Sequence, residues 1–230
     1  MAHGPVAHDP APHTPALPRR SDRRRARTRA ALLEAGRALY ALRGLEAVSV
    51  DEIVAAADVA KGSFYNHFRD KDGLAREIAG EVRRQAERLV EAANAGVVDP
   101  AARVARALCV FIRFAIDHRD SAQVLWRLNS GATLADAPAN RSLRAEVERG
   151  IAAGCFAQID VASGVLLIMG TVVISLRHAL EERATTPPAA LARGMAAGLL
   201  RALGTPARTA TRVAAAAAGE VIGAAVRTAR

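Results

Sequence analysis

The sequence has few cysteines, few aromatic residues and no long apolar run, and each shortage excludes a class of protein. Cys109 and Cys155 lie far apart without a CxxC spacing, which argues against a disulfide framework and a structural zinc site. The longest apolar stretch, residues 161–176, contains glycine, serine and threonine, whereas a bilayer needs about 20 apolar residues. We therefore expect a cytoplasmic protein with no membrane partner, no metal and no cofactor.

Catalytic and nucleotide-binding motifs are also missing. The chain contains no G-x-S-x-G, H-E-x-x-H, G-x-x-x-x-G-K-[ST] or G-x-G-x-x-G pattern. Asp117, His118 and Asp120 could imitate an acid-base group, but adjacent acids without a nucleophile are typical of charges at a helix end. The sequence therefore disfavours an enzyme.

Alanine and arginine dominate what is present. The 230 residues include 54 alanines, and 32 basic against 23 acidic residues leave a net charge of +9. This length allows one large domain or a small domain joined to a larger one. Because the chain is rich in alanine and no segment alternates with period two, we predict an all-α fold.

The N-terminal part combines a proline-rich tail with a run of arginines. Residues 1–18 hold five of the ten prolines, and we interpret them as a disordered tail. Residues 19–29 then contain seven arginines and one acid. A charge run is often only a solvated face, but this one leads directly into a compact helical segment, which favours a nucleic-acid partner. The predicted N-terminal arm comprises Arg23, Arg24, Arg25 and Arg27.

Helix-capping residues divide the rest of the chain. Ser49 and Glu52 form an S-x-x-E capping box that starts a short helix at Val50, Asp58 closes it, and Asp70, Asp99, Ser121, Asp160 and Thr186 are further candidate caps. The other predicted helices are 21–42, 59–68, 71–93, 100–118, 121–128, 138–156, 161–182, 187–203 and a final one that starts at Thr205-Pro206.

Residues 49–74 match a helix-turn-helix, with the second short helix as the recognition helix. Four of the eight aromatic residues, Tyr40, Phe64, Tyr65 and Phe68, lie in or near it and can build a small core. Phosphates need cations or hydrogen-bond donors, and base edges need short polar side chains or close backbone approach. The candidate phosphate contacts are Lys61, Tyr65, His67 and Lys71, and the candidate base contacts are Lys61, Gly62, Ser63 and Asn66.

The segment Val59-Ala60-Lys61-Gly62-Ser63-Phe64-Tyr65-Asn66-His67-Phe68, followed by Lys71 and Leu74, resembles the signature of the TetR family of bacterial transcriptional regulators. The likeness covers about residues 27–74, roughly a fifth of the chain. In the turn, where the family usually has glycine, this chain has Asp58. Aspartate tolerates a left-handed backbone better than most residues, so we expect the turn to be preserved.

The resemblance implies an all-α homodimer whose helix-turn-helix units enter successive major grooves of a near-palindromic operator. It further implies a C-terminal part that binds a small hydrophobic or amphipathic inducer, and phosphate contacts from Ser49, Tyr65, His67 and Lys71. The expected domains are 19–73 for DNA binding, 74–204 for ligand binding and dimerisation, and 205–230 as a C-terminal alanine-rich helix.

The C-terminal half carries weaker signals. Apolar side chains with a polar group at His118 could line a ligand pocket; the alternative is that they are ordinary core. The candidate pocket residues are Phe111, Phe114, His118, Trp126, Met169 and Val173. Two glycines four residues apart could let a partner helix approach, and the alternative is packing within the chain. The candidate dimer residues are Leu191, Gly194, Met195 and Gly198.

The leading hypothesis is a repressor that is released from its operator by a ligand. One alternative keeps DNA binding but drops ligand control. The other, a helical small-molecule-binding protein or enzyme with a solubilising basic N-terminus, is disfavoured by the missing motifs. A cavity no larger than a few waters in the C-terminal half would argue against ligand control.

Overall fold

The computed structural model describes residues 20–128, 137, 140–157 and 159–223. Within these residues it contains ten α-helices and no strand, which confirms the all-α prediction. The proposed tail, residues 1–18, lies outside the described residues. The helices are α1 (Arg20–Arg43), α2 (Val50–Ala56), α3 (Lys61–Tyr65), α4 (Lys71–Ala93), α5 (Pro100–Asp117), α6 (Arg119–Arg127), α7 (Arg141–Ala152), α8 (Val161–Leu180), α9 (Pro188–Ala202) and α10 (Ala207–Val221).

Side-chain caps and a tight turn determine where the first short helices begin. The Ser49 hydroxyl accepts from the Glu52 backbone N–H while the Glu52 carboxylate accepts from the Ser49 N–H, which confirms the capping box at the start of α2. Asp58, in the turn before α3, has φ of 52°, the left-handed conformation expected there. Asp70 caps α4 by accepting from the Gly73 N–H at 2.7 Å.

Several helix bounds and caps differ from the sequence-based predictions. The helix predicted at 138–156 is α7, which spans only Arg141–Ala152, and the prediction that Thr186 caps α9 is wrong, because the N-cap is Pro187. The prediction that Ser121 caps α6 is wrong, because the helix begins at Arg119 directly after α5 and His118 joins the two. The recognition helix is shorter than residues 59–68, since α3 is confined to Lys61–Tyr65. Asn66 and His67 therefore lie in the turn that follows α3.

Two hydrophobic clusters organise the packing. The first contains buried residues of α5, α7, α8, α9 and α10. The second joins α1, α2, α3 and the first four turns of α4 to the C-terminal end of α5, to α6 and to the end of α8. The N-terminal helices therefore share one core with part of the larger C-terminal half, so the two regions are in direct contact.

α8 is exposed along one apolar face. It is long and apolar enough to cross a membrane by length and composition alone, and 28% of its apolar window is buried. Val165, Ile168 and Leu176 are buried within the chain. Leu166 and Ile174 remain 47% and 55% exposed in the isolated chain.

Candidate nucleic-acid interface and internal cavity

The short helix α3 presents a polar face outward because its aromatic residues anchor the other face. Phe64 is fully buried and Phe68 nearly so, with ring centroids 5.8 Å apart. Tyr40 is fully buried, and its hydroxyl donates to the Lys71 carbonyl at 3.2 Å. Burial, followed by the nearby Asp72 charge, raises the pKa of Tyr40 to about 12, so the hydroxyl keeps its proton and ties α1 to the start of α4. The remaining side of α3 is free to meet a ligand.

Gly62 lies on this outward side. A Cβ atom built at Gly62 would meet nothing within 4 Å, so packing inside the chain does not require a glycine there. Glycine within a helix costs about 1 kcal/mol relative to alanine. The open space beside Gly62 leaves its backbone accessible from outside the chain.

The other candidate base contacts surround Gly62. Lys61 and Asn66 are exposed and Ser63 is half-buried. The Lys61 ammonium lies 2.7 Å from the Asp51 carboxylate. The structure therefore brings all four candidates to one end of the molecule.

The candidate phosphate contacts differ in how free their polar groups are. Tyr65 is 55% exposed. The Lys71 ammonium donates to the carbonyls of Leu45 and Val48 at 3.1 and 3.2 Å, which leaves one of its three protons for a phosphate. The Ser49 hydroxyl donates to the Glu52 carboxylate at 2.9 Å, so a phosphate would compete with the capping box for that proton.

His67 lies where the arginine run of α1 meets the turn after α3. Burial and the positive charges of Arg25 and Arg29 lower the pKa of His67, which favours the neutral imidazole. The Arg29 guanidinium lies 5.4 Å from the Phe68 ring centroid and is paired with Glu77. The predicted arm residues Arg23, Arg24, Arg25 and Arg27 are all exposed on the first turns of α1, which concentrates positive charge beside α3.

A cavity of about 310 Å³ lies among α4, α5, α6, α7 and α8. Phe111, Trp126, Met169 and Val173 line it, whereas the other two candidate pocket residues do not. Phe114 is buried, His118 is exposed where α5 ends, and both line a separate groove beside α10. Four of the six candidates therefore converge on one space of ligand size.

Polar residues form one side of this cavity. The Arg103 guanidinium donates to both carboxylate oxygens of Glu146 at 3.0 Å and to the carbonyls of Asn94 and Val97, while Arg149 also pairs with Glu146. The Asn94 side chain donates to the Arg103 carbonyl at 3.2 Å. No pattern in the sequence indicates this cluster, because Arg103 and Glu146 belong to different helices and lie 43 positions apart.

The candidate dimer residues divide by exposure. Leu191 and Met195 are half-buried against the first hydrophobic cluster, whereas Gly194 and Gly198 are exposed and a Cβ at either would meet nothing within 4 Å. Gly170, between Leu166 and Ile174 on α8, is also exposed and equally open. Among the described residues, no group of three or more His, Cys, Asp or Glu side chains is arranged to hold a metal ion.

Residues 32–78 match the profile of the family described as bacterial regulatory proteins, tetR family. The chain is also 40% identical over 57 residues to the HTH-type transcriptional repressor DhaR of Mycobacterium sp. (strain GP1). That alignment covers 25% of this chain and 29% of the relative. The family match therefore concerns the segment that contains α2 and α3, and the chain aligns with less than a third of the length of this relative.

Solved structures resemble the fold over most of the chain. A gamma-butyrolactone receptor (ArpA-like protein) is 24% identical, with a TM-score of 0.60 over 86% of this chain and 99% of the other. RolR in complex with resorcinol is 24% identical, with a TM-score of 0.57 over 84% and 95% of the two chains. At this identity the likeness concerns the fold alone.

Proposed function

We propose that this chain is a member of the TetR family of bacterial regulatory proteins and a cytoplasmic transcriptional repressor that binds operator DNA through α2 and α3. The observation that carries this proposal is the outward face of α3, where Lys61, Gly62, Tyr65 and Asn66 are exposed beside the arginines of α1. Repression needs no catalysis, because occupying an operator beside a promoter is enough. The family is one of regulators rather than enzymes.

In this proposal, base edges meet Lys61, Gly62, Ser63 and Asn66. Phosphates meet Tyr65, the remaining proton of Lys71, and, after local rearrangement, Ser49 and His67. The arginines at 23, 24, 25 and 27 extend the contact along the duplex. Phosphate contacts position the protein and base contacts select the sequence.

Dimerisation through α8 and α9 supplies the second recognition helix. The exposed face of α8 at Leu166, Gly170 and Ile174 offers apolar area, and Gly194 and Gly198 on α9 allow close approach. A two-fold arrangement would place two α3 helices against a near-palindromic operator.

We further propose that a small amphipathic molecule binds in the cavity and releases the operator. The cavity volume of about 310 Å³ is within the usual range of ligand sites, which favours this hypothesis over a regulator without ligand control. Its lining has an apolar part at Phe111, Trp126 and Met169 and a polar part at Arg103 and Glu146. Ligand and operator would oppose each other if they prefer different arrangements of the helices.

Two helices connect cavity and interface. α4 contributes Leu74, Ile78 and Val82 to the core around α3, and Val90 to the cavity. α6 packs against α1; it contributes Val124 to the same core and Trp126 to the cavity. A ligand that displaces either helix would move α3, with a typical coupling of about 1–3 kcal/mol, or about 5–150-fold in operator affinity.

Selection of duplexes from a random-sequence library by the full chain tests the proposal. We expect a near-palindromic site. The affinity for it should fall steeply as the salt concentration rises, because arginines that bind phosphates release the counterions condensed on the DNA. Tyr65→Ala is expected to weaken binding about tenfold or more by removing a phosphate contact. It should lower thermal stability only slightly, because Tyr65 is 55% exposed and its ring contacts Phe64 by an edge alone. Failure to enrich any sequence, or equal binding by Tyr65→Ala, would contradict the proposed interface.

A further inference from the structure

An acidic residue stands on the surface that the proposed function assigns to DNA. Asp51, in the first turn of α2, places one carboxylate oxygen 2.7 Å from the ammonium of Lys61, the first residue of α3. Both side chains are mostly exposed, at 70% for Asp51 and 56% for Lys61. A carboxylate at this place repels phosphates, so nonspecific DNA binding gains nothing from it.

The ion pair restricts Lys61 without stabilising the fold appreciably. Its hydrogen bond to Asp51 and the attraction between the two charges raise the pKa of Lys61, so the ammonium stays charged. Because both groups are solvent-exposed, the pair contributes little to folding. Its main effect is that Lys61 must exchange Asp51 for a DNA group when the complex forms.

The DNA groups that can accept from Lys61 differ in whether a hydrogen-bond donor for Asp51 lies beside them. A phosphate satisfies Lys61 but leaves the carboxylate unpaired beside a polyanion. In the major groove, guanine O6 and N7 accept from lysine, and the cytosine N4 amino group donates to aspartate. A G·C base pair therefore offers Lys61 two adjacent acceptors on guanine and offers Asp51 a donor on cytosine. An A·T base pair also offers a donor, the adenine N6 amino group, but its acceptors lie singly on either side of that group, so it suits Lys61 less well.

We propose that Asp51 is a specificity-determining residue, which together with Lys61 selects a G·C base pair in each half-site and penalises unrelated DNA. The inference rests on the proposed function and adds a residue to it. Discrimination here comes as much from the contact that unrelated DNA makes unfavourable as from the contact that the operator makes favourable.

The test compares Asp51→Asn with wild type and with Glu34→Gln, a control that replaces another exposed carboxylate, on α1, by its amide. Each full-length protein selects duplexes from a random library. Affinities are then measured, at several salt concentrations, for the duplex that wild type selects and for a 30-base-pair duplex of scrambled sequence.

We expect Asp51→Asn to weaken the preference for G·C at one position of each half-site, because the neutral amide no longer requires a donor there, and to keep the other positions. Its affinity for scrambled DNA should rise about three- to tenfold, and its salt slope should steepen by about 0.9, because Lys61 becomes free to displace one more counterion. Glu34→Gln should retain the wild-type site and its ratio of operator to scrambled affinity.

An Asp51→Asn protein with the wild-type sequence preference and an unchanged affinity ratio would overturn this inference while leaving the proposed function intact. Equal effects of Asp51→Asn and Glu34→Gln would also overturn it, since net charge alone would then explain the result. If wild type enriches no sequence, the proposed function fails and this inference fails with it.

Discussion

At the scale of single residues, we expect a substitution at Gly62 to have opposite effects on the stability of the fold and on DNA binding. Its surroundings are empty in the isolated chain, and helix propensity favours alanine by about 1 kcal/mol. We expect Gly62→Ala to raise the free energy of unfolding by about 0.5–1 kcal/mol. The added methyl group should meanwhile lower operator affinity about tenfold or more, because it would occupy space next to base edges.

Urea unfolding and fluorescence anisotropy with the selected duplex measure the two effects. Gly219→Ala is the matched control, because Gly219 is also helical, exposed and open, but lies on α10. It should stabilise the protein to a similar extent without changing operator affinity. An unchanged affinity in Gly62→Ala would show that Gly62 does not face the groove.

Asp58 illustrates how far local sequence reasoning reaches at this scale. Asp58 stands in the turn where the family usually has glycine, which predicts a left-handed backbone that aspartate can adopt. Its φ of 52° confirms that prediction. Such a prediction succeeds because φ and ψ depend on the residue and its immediate neighbours. The Lys61–Asp51 contact has no comparable signal, since it depends on how α2 and α3 are oriented.

At the scale of elements, the capping box of α2 makes the start of the helix-turn-helix sensitive to acid. The Ser49 backbone N–H, then the Arg43 guanidinium, lower the pKa of Glu52 to about 2. Because this pKa is below the value of 4.5 for an unperturbed glutamate, the unfolded chain binds the proton more readily. The stabilisation by Glu52 is therefore complete above about pH 4.5 and is lost as the pH falls towards 2.

We expect Glu52→Gln to reduce the loss of stability between pH 5 and pH 2.5. Glutamine keeps the reciprocal cap geometry but cannot take up the proton and loses the charge next to Arg43, so the variant should also be slightly less stable at pH 7. Urea midpoints at a series of pH values measure the difference between the two proteins. A difference that does not change over this pH range would contradict the role of Glu52.

The same scale shows which elements can be predicted and which cannot. Caps such as Ser49, Asp70 and Asp160 lie within three residues of the N–H groups they satisfy, so their helices start as predicted. Ser121 fails as a cap because α6 begins two residues earlier, at Arg119, with His118 as its N-cap. The polar side of the cavity could not be predicted, because the contact between Arg103 and Glu146 depends on the packing of α5 against α7.

At the scale of the whole molecule, the exposed apolar face of α8 argues for a second copy of the chain. Leu166, Gly170 and Ile174 recur every four residues and therefore share one helix face, and the first and last are large and about half exposed. A soluble protein rarely leaves such a row uncovered. Gly194 and Gly198 on α9 are also exposed, with open space around them.

Ile174→Glu is expected to convert the dimer into a monomer, because it would place an uncompensated charge in an apolar interface. Sedimentation equilibrium measures the change in mass, and anisotropy should show at least a hundredfold weaker binding to the full operator, because the half-sites are then bound independently. Binding to an isolated half-site should persist, since α3 is unaltered. Val98→Glu introduces the same charge at an exposed apolar position in the loop before α5 and should remain dimeric. If the Ile174→Glu protein remains dimeric, the two-fold axis does not pass through this face of α8. Another interface would then determine the spacing of the two α3 helices.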